Sequence, residues 1–298
     1  MNIVIKVNED TKQKMIEYYQ DKKREKVPPY AIFQADEADT IITLYESGKA
    51  MFQGTSADID ANMWKETDAH ITKEKKEKNS YYYVNSIGSD EVGTGDYFGP
   101  IVVTSTFVTK DDIAYLEELG VKDSKKMTDE KMLDIAPKII KKIKYDSLIL
   151  TNKEYNLKYN KELNMNKIKA VMHNKVISNL LNKINSKYDY IIIDEFAKPK
   201  SYFGYLNEVP NVIRNITFLT KAEDKNLAVA CASIISRYIF LKEYDKLNNE
   251  LGIILPKGAS NLVDEVGMKI VERDGKEKLL DIAKYNFKNT EKILKDNK

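Results

Sequence analysis

Apolar and polar positions alternate with two different periods along this chain, and the way those periods follow one another divides it. Residues 2–7, Asn2-Ile3-Val4-Ile5-Lys6-Val7, read as a strand and 9–20 as a helix. Strand patterns follow at 30–35, 40–45 and 50–53, with Ser47-Gly48 as the hairpin turn between the last two. Thr55 or Ser56 is placed to cap a final helix reaching Trp64. Helices on an antiparallel sheet make residues 1–65 a small α+β domain, able to leave one sheet face open. Over 66–80 the pattern vanishes. E-T-D-A-H-I-T-K-E-K-K-E-K-N-S offers only Ala69 and Ile71 as apolar side chains, too few to bury, and predicts a charged linker.

Residues 81–298 form the large domain. Residues 81–87 and 101–108 have the β-branched and aromatic content of buried strands and predict an antiparallel pair. Helical periodicity covers 112–119 and 129–143, a strand 147–151, a long helix 166–183, strands 190–194 and 216–220, and a long helix 226–248. A strand pair followed by alternating helices and strands predicts an α/β fold, a mixed sheet flanked by helices. The C-terminal third reads as helical and rich in lysine, and there is no internal repeat.

Composition narrows the chemistry. Among 298 residues, 48 Lys+Arg nearly balance 46 Asp+Glu for a net charge of +2, so any basic surface must come from segregation of charge. One such cluster is Lys22-Lys23-Arg24 with Lys26, a solvated loop or a phosphate-binding patch. The single cysteine, Cys231, excludes an internal disulfide and a thiolate zinc cluster, and its apolar setting predicts a buried side chain. Two distant histidines, His70 and His173, exclude a multi-histidine metal site. No run approaches a membrane span and no leader pattern opens the chain, so a soluble cytoplasmic protein is expected.

Four of the twelve glycines fall within residues 88–100, G-S-D-E-V-G-T-G-D-Y-F-G-P, beside the adjacent acids Asp90 and Glu91. Glycines there allow a turn and a close backbone approach to a ligand. The 190–194 strand ends in Asp194, and the 216–220 strand runs through Lys221-Ala222 into Glu223 and Asp224. Singly, such acids are turn formers or partners of a helix dipole. Together they come from three segments whose strand ends line one sheet edge, where ligands bind in parallel-type sheets. Four converging carboxylates need cations, and oxygen ligands without His or Cys select Mg²⁺ or Mn²⁺. Two such ions would activate water and steady the leaving oxygen in phosphodiester hydrolysis. Neighbouring residues of an ideal strand point to opposite faces, so a bend is expected at Asp90-Glu91.

Residues 88–100 resemble the signature of ribonuclease HIII, the bacterial relative of ribonuclease HII. Further matching stretches are Val121-Lys122-Asp123-Ser124-Lys125, Asn166-Lys167-Ile168-Lys169-Ala170, Asp194-Glu195-Phe196-Ala197, Thr220-Lys221-Ala222-Glu223, Ala232-Ser233-Ile234-Ile235-Ser236-Arg237-Tyr238 and Leu255-Pro256-Lys257-Gly258-Ala259. The N-terminal module, with Pro29-Tyr30-Ala31-Ile32-Phe33-Gln34-Ala35 and Ser47-Gly48-Lys49-Ala50-Met51-Phe52-Gln53-Gly54, is similar to the extension that separates HIII from HII. The resemblance implies a ribonuclease H-like fold with an N-terminal substrate-binding domain like half of a TATA-binding protein. It implies a monomeric endonuclease that cleaves RNA in RNA–DNA hybrids, leaving 5′-phosphate and 3′-hydroxyl ends. By position Asp90, Glu91 and Asp194 match the metal ligands and Glu223 the fourth acid. Gly93, Thr94 and Gly95 match the loop whose backbone reads the ribose 2′-hydroxyl, and Lys125 and Lys257 are candidates for phosphate contacts. Glu195 and Asp224 stand where the family often has Gln and Gly, which keeps Asp224 beside Glu223 as a candidate, and Asn286 stands where His is expected. The rival readings are HII-like cleavage at single ribonucleotides, disfavoured by Thr94 in place of a basic residue, and a non-catalytic hybrid-binding protein, disfavoured by four intact acids.

Overall fold

The structure, a computed structural model, describes residues 1–121, 127–160 and 163–295, with side chains for all of these except 70 and 72–79. Contacts divide the chain into two units, Met1–Ser80 and Tyr81–Lys298.

In the first unit, β1 (Asn2–Lys6), β2 (Ala31–Glu37), β3 (Thr40–Tyr45) and β4 (Lys49–Gly54) form an antiparallel sheet in the order β1-β4-β3-β2. Helix α1 (Glu9–Tyr18) starts at an Asn8 cap, whose side chain accepts from the Thr11 amide. Met15 and Tyr19 pack with Phe33, Ile42, Leu44 and Phe52 against Ala57, Ala61 and Trp64 of helix α2. The opposite sheet face carries Gln34, Ile41, Tyr45 and Met51, half-buried, and Val4, exposed.

Helix α2 runs over Ala57–Tyr82, which revises two expectations. The charged stretch 66–80, expected to have no order of its own, is helical. Lys and Glu are strong helix formers that need no burial, and no Gly or Pro interrupts the run. The aromatic run at 81–83 ends this helix instead of opening a strand. Tyr82 is buried and its hydroxyl donates to Glu117. High β-propensity here reflects a need for packing rather than a backbone preference.

In the second unit the first strand, β5, therefore spans Ser86–Val92, and β6 spans Ile101–Val108. With β7 (Lys144–Leu150), β8 (Tyr190–Asp194) and β9 (Thr217–Leu219) they form one mixed sheet in the order β7-β6-β5-β8-β9. The pairs β5–β6 and β6–β7 are antiparallel, whereas β5–β8 and β8–β9 are parallel. Between β6 and β7 lie helices α3 (Ile113–Glu118) and α4 (Asp129–Lys142). After β7, α5 (Asn152–Lys158) opens with a capping box of Thr151 and Glu154 that the apolar pattern had not disclosed. Helix α6 (Met165–Leu181) packs on the sheet face bearing Ile87, Val103, Ile191 and Ile193. The short helix α7 (Pro199–Tyr205) follows β8.

Helix α8 (Leu227–Leu251) covers the other face, so closely that a Cβ on Gly88 would lie 2.1 Å from the Val229 nitrogen. Its cap, Asn226, accepts from the Val229 amide and donates at 2.8 Å to the Ser86 hydroxyl, fixing the helix start to the start of β5. Cys231 is buried in this layer. Helices α9 (Asn261–Asp274), α10 (Lys278–Ile282) and α11 (Lys288–Lys295) complete the unit. Among the described residues no helix is long and apolar enough to cross a membrane.

Candidate active site

The ladder between β5 and β8 ends with Ser89 opposite Ile193. The next residue on each strand is an acid, Asp90 on β5 and Asp194 on β8, so the sheet forks where its two central parallel strands deliver their carboxylates. Pairing of β5 with β6 continues unbroken through Asp90↔Thr104, Glu91↔Val103 and Val92↔Val102. The bend expected at Asp90-Glu91 is therefore absent, and the two side chains keep the alternation of a regular strand. Asp90 turns toward α8, where Ser233 hydrogen-bonds its carboxylate and the Ser236 hydroxyl donates to its main-chain oxygen. Glu91 turns toward α6.

Glu91 is held from two sides by α6. Lys169 forms an ion pair with its Oε1, and His173 Nε2 lies 2.9 Å from its Oε2. His173 is fully buried, and its Nδ1 lies 2.7 Å from Ser89 Oγ, which donates to the Thr104 carbonyl. Phe196, two residues past Asp194, stacks on the His173 ring and lies 4.0 Å beneath the Lys169 ammonium. Burial opposes the charge of Glu91, but His173 and Lys169 outweigh it and hold the carboxyl below its usual range. Asp90 behaves in the opposite way. Burial, then the charges of Glu91 and Asp194, push it up to about 8 against the hydrogen bonds from Ser233 and the Glu91 amide.

Past β9, Lys221 takes a left-handed conformation with φ of 52°, unusual for a residue with a Cβ. That turn aims the Ala222 amide at Asp194 Oδ1, 2.8 Å away, and starts a single 3₁₀ turn holding Glu223 and Asp224. The acids of β8 and of the following turn are thereby tied together.

Among the described residues, no group of three or more acid, histidine or cysteine side chains is gathered as it stands to hold one metal ion. Glu91 is drawn to Lys169 and His173, and Asp194 to the Ala222 amide. The donor set nevertheless fits a hard divalent cation. It is all oxygen, and burial, with the charges of Glu91 and Asp194 behind it, disfavours the charged form of Asp90, a penalty that a cation would relieve.

The loop after β5 places Gly93, Thr94 and Gly95 beside these acids. Gly93 has φ of 93° and a Cβ there would lie 2.2 Å from the Pro100 oxygen. Gly95 is exposed and a Cβ on it would meet nothing within 4 Å. Of the two candidate phosphate contacts, only Lys257 lies among the described residues. Lys257 is ion-paired with Asp129, which also binds Arg237, and Lys125 lies outside the described residues. Asn286 Oδ1 accepts from the Tyr155 hydroxyl at 2.9 Å. Lys169, His173, Ser89 and Ser233 are the site neighbours that the sequence reading left without a role. The four-residue spacing of Lys169 and His173, which puts both on one helix face, was the available signal.

A mixed sheet with acids at the fork of its central parallel strands and helices on both faces defines a type 2 ribonuclease H-like domain, and the family model described as Ribonuclease HII matches residues 87–290. A model described only as a domain of unknown function matches residues 2–79. The chain is 42% identical to "Ribonuclease HIII" of Bacillus mycoides, covering 99% of this chain and 98% of that one. It is 40% identical to "Ribonuclease HIII" of Lactococcus lactis, covering 99% of both. A crystal structure of Bst-RNase HIII in complex with Mn²⁺ superposes with a TM-score of 0.75 at 37% identity, over 100% of this chain and 99% of that one. The chain belongs to the ribonuclease HIII family.

Proposed function

We propose that this chain is an endoribonuclease that hydrolyses the RNA strand of RNA–DNA hybrids with two divalent cations, Mg²⁺ or Mn²⁺, leaving 5′-phosphate and 3′-hydroxyl ends, and that it acts in the cytoplasm as a monomer. The observation that carries the reading is the burial of Asp90 beside Glu91 and Asp194 at the fork of β5 and β8, which together push its pKa up to about 8. A proton or a cation relieves the charge of buried neighbouring acids.

Asp90, Glu91 and Asp194 would hold the ions, with Glu223 assisting one ion or the attacking water. Ions of this kind, when bound, lower the pKa of water and steady the leaving oxygen. Within the chain, Lys169 and His173 keep Glu91 ionised and oriented, and Ser233 and Ser236 fix Asp90. Gly93, Thr94 and Gly95 approach the ribose by backbone. At Gly95 the fold itself has no need of glycine, since a Cβ would stand in open space, and the approach of a ligand supplies the reason. Lys257 reaches a phosphate only by leaving Asp129. The N-terminal unit supplies affinity for the duplex.

The test is cleavage of a uniform hybrid in Mg²⁺ against EDTA, beside a DNA duplex carrying one ribonucleotide. Uniform hybrid is the expected substrate. Asp90→Asn and Asp194→Asn should each lower cleavage about a thousandfold or more, about 4 kcal/mol of barrier, while hybrid binding persists. Cleavage near the wild-type rate in either variant overturns the assignment.

A further inference from the structure

Lys284 has no exposed surface, an uncommon place for an ammonium, and the acids make no use of it. Its Nζ donates to the main-chain carbonyls of Asp96 and Gly99, each at 2.7 Å. Its own amide donates to the Tyr97 carbonyl at 2.8 Å, and the Gly99 amide donates to the Ile282 carbonyl at 3.1 Å. Phe98 and Ala283 form an antiparallel bridge. Residues 282–284 thus grip 96–99 with both main chain and side chain. A second strap comes from Gly258, whose amide donates to Asp96 Oδ1 at 2.7 Å and whose carbonyl accepts from the Tyr97 amide at 2.8 Å. Tyr97 and Phe98 are fully buried. What projects is the turn 93–96, with Thr94 half-buried and Gly95 exposed at its tip.

The geometry points to Lys284 as a positioning residue for ribose recognition: it fixes the carbonyls on the inner side of the loop, and so sets the direction in which the backbone of Gly93, Thr94 and Gly95 faces the substrate. The inference rests on the reading of that loop given above. Two buried carbonyls pointing at one spot need a donor, and leaving them unmet is costly. An ammonium on a long stem supplies both bonds from one point. Burial lowers its pKa to about 7, with Asp96 the opposing charge, so the protein tolerates an expensive group here for what it holds in place.

The test uses the full chain with Lys284→Met, which keeps the stem and removes the donors. Single-turnover cleavage at saturating enzyme should fall at least tenfold. The preference for hybrid over a DNA duplex of the same sequence, measured as relative affinity in an Asp90→Asn background, should fall about tenfold. Mn²⁺ affinity of the metal-free enzyme, with Asp90 intact, should stay within about twofold, and Lys284→Gln, which retains amide donors, should lie between. A folded Lys284→Met that keeps rate and preference overturns the inference, because the lysine is then only an anchor of the fold. Loss of Mn²⁺ affinity together with rate also overturns it, because the damage has then spread to the acids. If Lys284→Met does not fold, Lys284→Gln is judged by the same criteria. If the wild-type chain itself shows no preference for hybrid, the reading of the loop fails, and this inference with it.

Discussion

Asp90 and Glu91 are chain neighbours with opposite electrostatic fates, and the difference comes from what each face of β5 offers. Glu91 meets Lys169 and His173 on α6, whereas Asp90 meets hydroxyls on α8 and the charges of other acids. In metal-free protein Asp90 has a folded pKa of about 8 against an ordinary value of 3.8. A raised pKa means that the folded state holds a proton the unfolded chain gives up. Its stability contribution is therefore complete below about pH 4 and is lost as pH rises through about 8. Binding of Mn²⁺ must expel the same proton. Affinity should climb about tenfold per pH unit between about 6 and 8 and then level off, while Asp90→Asn should bind weakly with little pH dependence. Calorimetric titration across that range checks this, and a flat wild-type profile removes Asp90 from the ligand set. The fourth acid is testable at the same scale. Glu223→Gln should lower cleavage about a hundredfold and Asp224→Asn only about threefold, and the reverse order would assign the role to Asp224. The placement of Asp90 and Asp194 at neighbouring strand ends was legible in the sequence. Lys169 and His173 were not, because only the packing of α6 on the sheet brings them to Glu91.

The long helices and the outer strands of the large unit followed from periodicity, but the short helices α5 and α7 did not, and β5 lies several residues later than its aromatic run suggested. A central strand reading Ser-Ile-Gly-Ser-Asp-Glu-Val has low β-propensity by composition. It persists because β6 and β8 pair with it on both sides and α8 lies directly on Gly88. This gives two glycines contrasting roles. Gly88→Ala would drive a Cβ to 2.1 Å from the Val229 nitrogen and 2.3 Å from the Ala228 carbonyl carbon. Main chain cannot yield as a side chain does, so the expected cost is about 3 kcal/mol. Gly95→Ala meets open space and should change stability by no more than about 0.5 kcal/mol. Its cleavage of hybrid should nevertheless fall about tenfold, the methyl group standing between backbone and ribose. Urea denaturation and hybrid cleavage of both variants measure the contrast. Full activity in Gly95→Ala would show that this backbone does not approach the substrate. A lysine-and-glutamate run such as 66–80 offers little to bury yet is still helical, because helix propensity suffices beside an ordered first half of α2.

At the scale of the molecule the proposed division of chemistry from affinity is open to a direct test. All four acids, the sheet that carries them and Lys284 lie in the unit Tyr81–Lys298. Deleting residues 1–80 keeps Tyr82, whose hydroxyl bonds Glu117, and Tyr81, whose carbonyl accepts from Asn226 at 2.8 Å. A cut a few residues later would remove both and expose the core at the start of β5. The truncated protein should therefore fold, bind metal and cleave hybrid in single turnover at saturating enzyme. What it should lose is affinity. The basic cluster of the first unit is partly neutralised within that unit, since Lys22 pairs with Glu37 and Arg24 with Asp36. The contribution to phosphate binding then falls to Lys23, Lys26 and whichever pairs open on the duplex. Each phosphate contact steepens the fall of log affinity with log salt by about 0.9. The full-length protein should exceed the truncated one by about one to two in that slope, while binding more tightly at low salt. Hybrid affinity at several salt concentrations gives the slope, and single-turnover cleavage gives the chemistry. Equal slopes and equal affinity would mean that the first unit does not anchor substrate. A folded truncation that fails to cleave even at saturation would mean that residues 1–80 help to build the active site.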